Sequence, residues 1–142
     1  MLRRIGLAAG AVAVFGVGVF VGQGRAIQAQ AKDRLFEIRL YTAAEGKLDA
    51  VVKRFRDPEK KLFEKYKMPA ILYSTVAEPA ERQNTFVYVL AHESRESARE
   101  SWKGFIADPE FRAAAQASDV GGRAVIKVES MFVNPTDFSP LK

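Results

Sequence analysis

The side chains able to do chemistry in this 142-residue sequence fall into two groups. Glu37, Arg39 and Tyr41 alternate with aliphatic residues, so all three share one face of an extended strand. On such a face Arg39 can bind an anion while Tyr41 or Glu37 moves a proton; alternatively the three form a paired ladder that fixes strand register, since an unpaired buried charge is costly. The second group surrounds His92, the only histidine. It stands where a strand hands over to a helix, a place for a general base or an axial haem ligand, or for a histidine that organises the helix start. Arg95 and Arg99 lie one turn apart on that helix. They can receive a carboxylate in bidentate fashion, or pair with Glu96 and Glu100 on a solvated face. Tyr88, on the strand that leads to His92, joins Arg95 and Arg99 as a candidate ligand contact.

Other chemistries lack their residues. With one histidine and no cysteine there is no zinc ligand set, so no metal site is expected. His92-Glu93 does not open H-E-x-x-H, because position 96 is glutamate, and Ser94 has no G-x-S-x-G context. Trp102 and Phe105, at helical spacing, are expected in the core.

The elements that must position these residues are legible from periodicity. Leu35–Thr42 alternates as a half-buried strand. Leu48, Val51, Val52, Phe55, Leu62, Phe63 and Tyr66 make a helical stripe, interrupted at Asp57-Pro58-Glu59, where a helix kinks or restarts. Ala70–Val76 and Thr85–His92 are strands joined by a polar connection. Ser94 caps the next helix and Asp108-Pro109-Glu110 opens a short further one. Gly121-Gly122 ends the helical region, and Ala124–Val133 is a fourth strand. The order β-α-β-β-α-β predicts an α+β, ferredoxin-like sandwich: a four-stranded antiparallel sheet with helices on one face. Its other face is bare. Glu37, Arg39 and Tyr41 are expected there beside Val125, Lys127, Glu129, Met131 and Val133, with opposite charges pairing across the two strands. A homodimer closing two such sheets face to face is the expected partner, and a solvated face the alternative.

Residues 1–31 stand apart, with three Arg, no acid and six of the ten Gly. Arg3 and Arg4, the uncharged run Ile5–Gly22 and the small-x-small Ala29-Gln30-Ala31 describe a cleaved signal peptide or an uncleaved membrane anchor. Either sends residues 32–142 out of the cytoplasm, to be periplasmic, extracellular or anchored at the inner membrane. That body holds 19 of the 22 basic side chains against all 17 acidic ones. It is nearly neutral, which disfavours nucleic acid despite the overall charge of +5.

The stretches FEIRLYTAAEGKLDA, LFEKYKM, NTFVYVLAHESRESARESWKGFIADPEF and VESMFVNPTDFSP resemble successive blocks of the NIPSNAP family, within the dimeric α+β barrel superfamily. The likeness spans about Arg34 to Pro140 and is most specific from Tyr88 to Phe111. It implies a ferredoxin-like protomer in a sheet-to-sheet homodimer, and a superfamily that includes haem-binding enzymes, small monooxygenases and simple binding proteins. Glu45-Gly46 replaces the family's frequent Pro-Gly, Tyr66-Lys67 its frequent His-Gly, and Phe111 a common Trp. The expected function is an exported dimer that binds a small hydrophobic or anionic organic ligand. A monooxygenase-like or haem-dependent oxidoreductase and a non-catalytic interaction module are the alternatives.

Overall fold

A computed structural model describes residues 34–142. The expected leader, residues 1–31, lies outside the described residues. Four strands, β1 (Leu35–Ala43), β2 (Ala70–Thr75), β3 (Thr85–His92) and β4 (Val125–Val133), form one antiparallel sheet in the order β2-β3-β1-β4. Helices α1 (Leu48–Arg54) and α2 (Lys60–Lys65) follow β1, and α3 (Arg95–Ala107) and α4 (Pro109–Ser118) follow β3. This is the ferredoxin-like α+β arrangement that the element order predicts.

The local signals act where expected. Between α1 and α2 the chain bulges over Phe55–Glu59, and Asp57 leaves helical geometry (φ −161°, ψ 119°) just before Pro58, which has no N–H to continue the helical ladder. The Ser94 hydroxyl accepts the Ser97 amide at 3.1 Å, and Asp108 accepts the Glu110 amide at 2.8 Å, each satisfying an orphan donor of a first helical turn. Asp108 also receives Lys65 Nζ and the Tyr66 hydroxyl, both at 2.7 Å, and so ties the end of α2 to the α3–α4 junction. Gly104 lets the Tyr66 ring lie against α3: a Cβ there would stand 2.6 Å from Tyr66 Cε1.

The core is aromatic. Phe55, Phe63, Phe86, Tyr88 and Phe105 are buried together, with Phe63 and Phe105 stacked at 4.7 Å. Tyr41 meets Phe55 and Tyr88 edge-on at 5.6 and 5.2 Å, and Trp102 meets Phe63 at 6.1 Å.

These contacts correct one expectation. Glu37, Arg39 and Tyr41 point toward the helices, not onto the bare face. The register places Phe132, Ser130 and Val128 of β4, and Leu90, Tyr88 and Phe86 of β3, beside them on that helix-facing side. The opposite face instead carries Phe36, Ile38 and Leu40, flanked by Ala91, Val89 and Val87 and by Val133, Met131 and Glu129, with Phe36 and Ala91 buried and the rest part-buried or exposed. Lys127 and Glu129 are on that face as expected, but they pair with each other at 3.1 Å, not with β1. Alternation defines two faces without saying which turns inward. Here mutual pairing and aromatic cover make the polar face burial-competent, which leaves an aliphatic face open.

Candidate functional site

Glu37 lies at the centre of the buried polar group. Its Oε1 accepts from Arg39 Nη1 at 2.6 Å; its Oε2 accepts from Trp102 Nε1 at 2.8 Å and from His92 Nε2 at 2.9 Å. Burial pushes this carboxyl up, but the hydrogen bonds from His92, Trp102 and Arg39 outweigh it and hold the group below its ordinary value. A carboxylate so stabilised and engaged by three donors is a weak base. Its physical role is to hold its neighbours in place.

Arg39 is the neighbour with capacity left. Its guanidinium lies 4.3 Å from the Trp102 ring centroid and 5.6 Å from that of Tyr41, a stacked arrangement that fixes its plane. Nη1 is taken by Glu37, Nη2 reaches the Tyr41 hydroxyl only at 3.5 Å, and Nε has no partner among the described residues. A guanidinium carries five donors, so several remain for a ligand.

Arg39, with its Nε enclosed, lines an open cleft of about 290 Å³ together with Glu37, Arg95, Arg99, Trp102 and Phe132, with Ala98 and Ser130 completing the wall. Arg95 stacks on the Phe132 ring at 3.7 Å, and the exposed Arg99 pairs with Glu96 at 2.8 Å. Three arginines therefore converge around one carboxylate, and two aromatic rings supply apolar wall.

The structure brings together Glu37, Arg39, Arg95 and Arg99 in the cleft and His92 directly behind it. Tyr41 flanks Arg39 but packs mainly on the core, and Tyr88 is fully buried among Tyr41, Phe55 and Phe63 and does not line the cleft. Burial pushes the Tyr88 hydroxyl well above its ordinary value, so it stays protonated. His92 is likewise buried, with Nε2 held by Glu37, Nδ1 enclosed without a partner and its ring 5.9 Å from that of Phe132. An axial ligand must present a free ring nitrogen to an open face, so His92 as placed here does not form a haem site. Among the described residues no three His, Cys, Asp or Glu side chains are grouped to hold a metal ion.

The NIPSNAP pattern matches residues 36–140, nearly all of the described chain. The chain belongs to the NIPSNAP family. Solved structures agree in fold. A NIPSNAP family protein of unknown function from Agrobacterium tumefaciens is 20% identical, over 79% of this chain and 96% of that one, with a TM-score of 0.67. An uncharacterised NIPSNAP domain protein from Burkholderia xenovorans is 23% identical, over 75% and 98%, with a TM-score of 0.63. A dimeric ferredoxin-like protein from an uncultured marine organism is 14% identical, over 78% and 94%, with a TM-score of 0.56. No curated protein matches the chain.

Against the NIPSNAP pattern, Tyr66-Lys67 has a structural explanation here. Tyr66 anchors Asp108 through its hydroxyl, and Lys67 occupies the left-handed turn (φ 58°) that a glycine adopts without strain. Four cleft residues were not foreseen from periodicity: Ala98, Trp102, Ser130 and Phe132. Trp102 shows the spacing of a core residue and does pack on the core, yet its N–H is committed to Glu37. A half-buried indole needs a hydrogen-bond acceptor, and that requirement is the one clue the residue type offered.

Proposed function

We propose that this NIPSNAP protein binds a small organic anion in the Arg39 cleft, with the acid group on Arg39 and a flat apolar part against Trp102 and Phe132. The carrying observation is the state of Arg39: clamped by Glu37 and Trp102, held beside Tyr41, and lining the cleft with Nη2 engaged only at 3.5 Å. A cation preorganised in this way meets a carboxylate with little ordering cost. Arg95 and Arg99 raise the positive potential at the entrance. Glu37 and His92 act as positioning residues, since their polar atoms are engaged or enclosed.

The same reading makes the protein an exported homodimer. The sheet face turned away from the helices carries Ile38, Leu40, Val87 and Val89, all part-buried, beside the exposed Met131, and a dimeric protein is among those that share the fold. The basic, acid-free and apolar residues 1–31 support export.

Calorimetric titration with benzoate tests the binding site. Arg39→Gln should weaken benzoate at least tenfold, and Arg95→Gln, at an exposed position, should weaken it less while leaving the fold intact. Unchanged affinity in both variants would sink the proposal.

A further inference from the structure

A second cleft lies at the other edge of the sheet. The α1–α2 segment leaves the helix-facing side of β2 partly open at the exposed Tyr73, and a cleft of about 360 Å³ remains between the two. That is within the roughly 300–1,000 Å³ of small-molecule sites. Phe55, Phe86, Val52 and Tyr73 form its floor and far wall; the Tyr73 ring lies 6.3 Å from both Phe55 and Phe86. Arg56 and Lys60 line the opposite rim, both exposed. Neither makes a salt bridge among the described residues. The acids adjacent in sequence are engaged elsewhere, Asp57 with Lys61 at 3.2 Å and the buried Glu59 with Arg54 at 2.6 Å.

The two cations flank the bulge at Asp57. It interrupts the helix between Arg56 and Lys60, and Phe55 is kept in the core while its neighbour Arg56 turns outward. The Tyr73 side is the less polar one. Burial, with Glu59 and Glu64 nearby, pushes the Tyr73 hydroxyl up to about 12, so the anionic end of a ligand is disfavoured there and favoured at Arg56 and Lys60.

We propose that this cleft is a second binding site, for a single-headed amphipathic anion whose apolar part lies on Phe55, Phe86 and Tyr73 and whose acid group meets Arg56 and Lys60. It is independent of the Arg39 cleft and shares no lining residue with it.

The test uses sodium octanoate and 1-octanol as probes with 15N-labelled protein. Octanoate should move the amide signals of Val52, Arg56, Lys60, Tyr73 and Thr75 saturably, and octanol should bind them at least fivefold more weakly. Arg56→Gln combined with Lys60→Gln should raise the octanoate Kd at least tenfold and leave benzoate binding in the Arg39 cleft unchanged. Equal affinity for octanol, shifts confined to the residues around Trp102, or no shift at all would each overturn the assignment. A failure of benzoate binding alone would bear on the Arg39 cleft and not on this one.

Discussion

The indole N–H of Trp102 donates to Oε2 of Glu37 at 2.8 Å, joining residues 65 positions apart and fastening α3 to the central strand. The same ring stacks on Arg39, so one side chain covers the ion pair, satisfies the carboxylate and forms a wall of the cleft. Trp102→Phe keeps the ring and removes the donor. It should cost about 1.5–3 kcal/mol, the range for a hydrogen bond to a charged group, as measured by urea unfolding followed by circular dichroism.

Stability should depend on pH in two opposite ways. Glu37 and Asp108 are held below their ordinary values in the folded protein, Glu37 by donors that outweigh its burial and Asp108 first by Lys65 and Tyr66. Their contribution is present above the unfolded carboxylate range and is lost as pH falls below it, through the folded values. Glu59 behaves inversely. Burial raises it to about 7, in spite of Arg54 Nε at 2.6 Å. Its folded form holds the proton more tightly, so stability falls as pH rises from about 4.5 to about 7, by at most about 1.4 kcal/mol per pH unit. Glu59→Gln should flatten that interval while leaving the acid limb in place, as read from unfolding midpoints across the pH range.

How much of this was legible in the sequence varies by cause. Local signals were readable: Ser94 and Asp108 cap helices as their types suggest, and Asp57-Pro58 breaks one. The arrangement of strands followed from their order. The inward face of β1 did not, because Glu37-Ile38-Arg39-Leu40 satisfies period two with either set of residues inside. Only the partners decide it, and these are distant: His92 reaches Glu37 across 55 positions and Trp102 across 65. Phe132 and Ser130 entered the cleft through the β1–β4 register, which no local pattern encodes.

Gly104 should not tolerate a side chain. The Tyr66 ring that a Cβ would meet at 2.6 Å is tethered by its hydroxyl to Asp108, so it cannot move away freely. Gly104→Ala is expected to cost about 1–3 kcal/mol in thermal unfolding, the range for overpacking. In a Tyr66→Ala background the same change should cost clearly less.

Lys67 is the one non-glycine residue among those described with positive φ, at 58°. A β-carbon in that region is strained by about 1–2 kcal/mol, and glycine removes the strain while adding freedom to the unfolded chain. Lys67→Gly should therefore raise stability by up to about 1 kcal/mol, seen as a higher Tm.

Trp102 is the only tryptophan, so its emission reports on the cleft wall alone. The most direct test of the account is a fluorescence titration of the wild-type protein with benzoate, set against benzylamine at the same concentrations. Binding at Arg39 predicts a saturable change with benzoate, none with benzylamine, and loss of the benzoate response in Arg39→Gln. A flat benzoate titration, or an equal response to the amine, would contradict an anion site at Arg39.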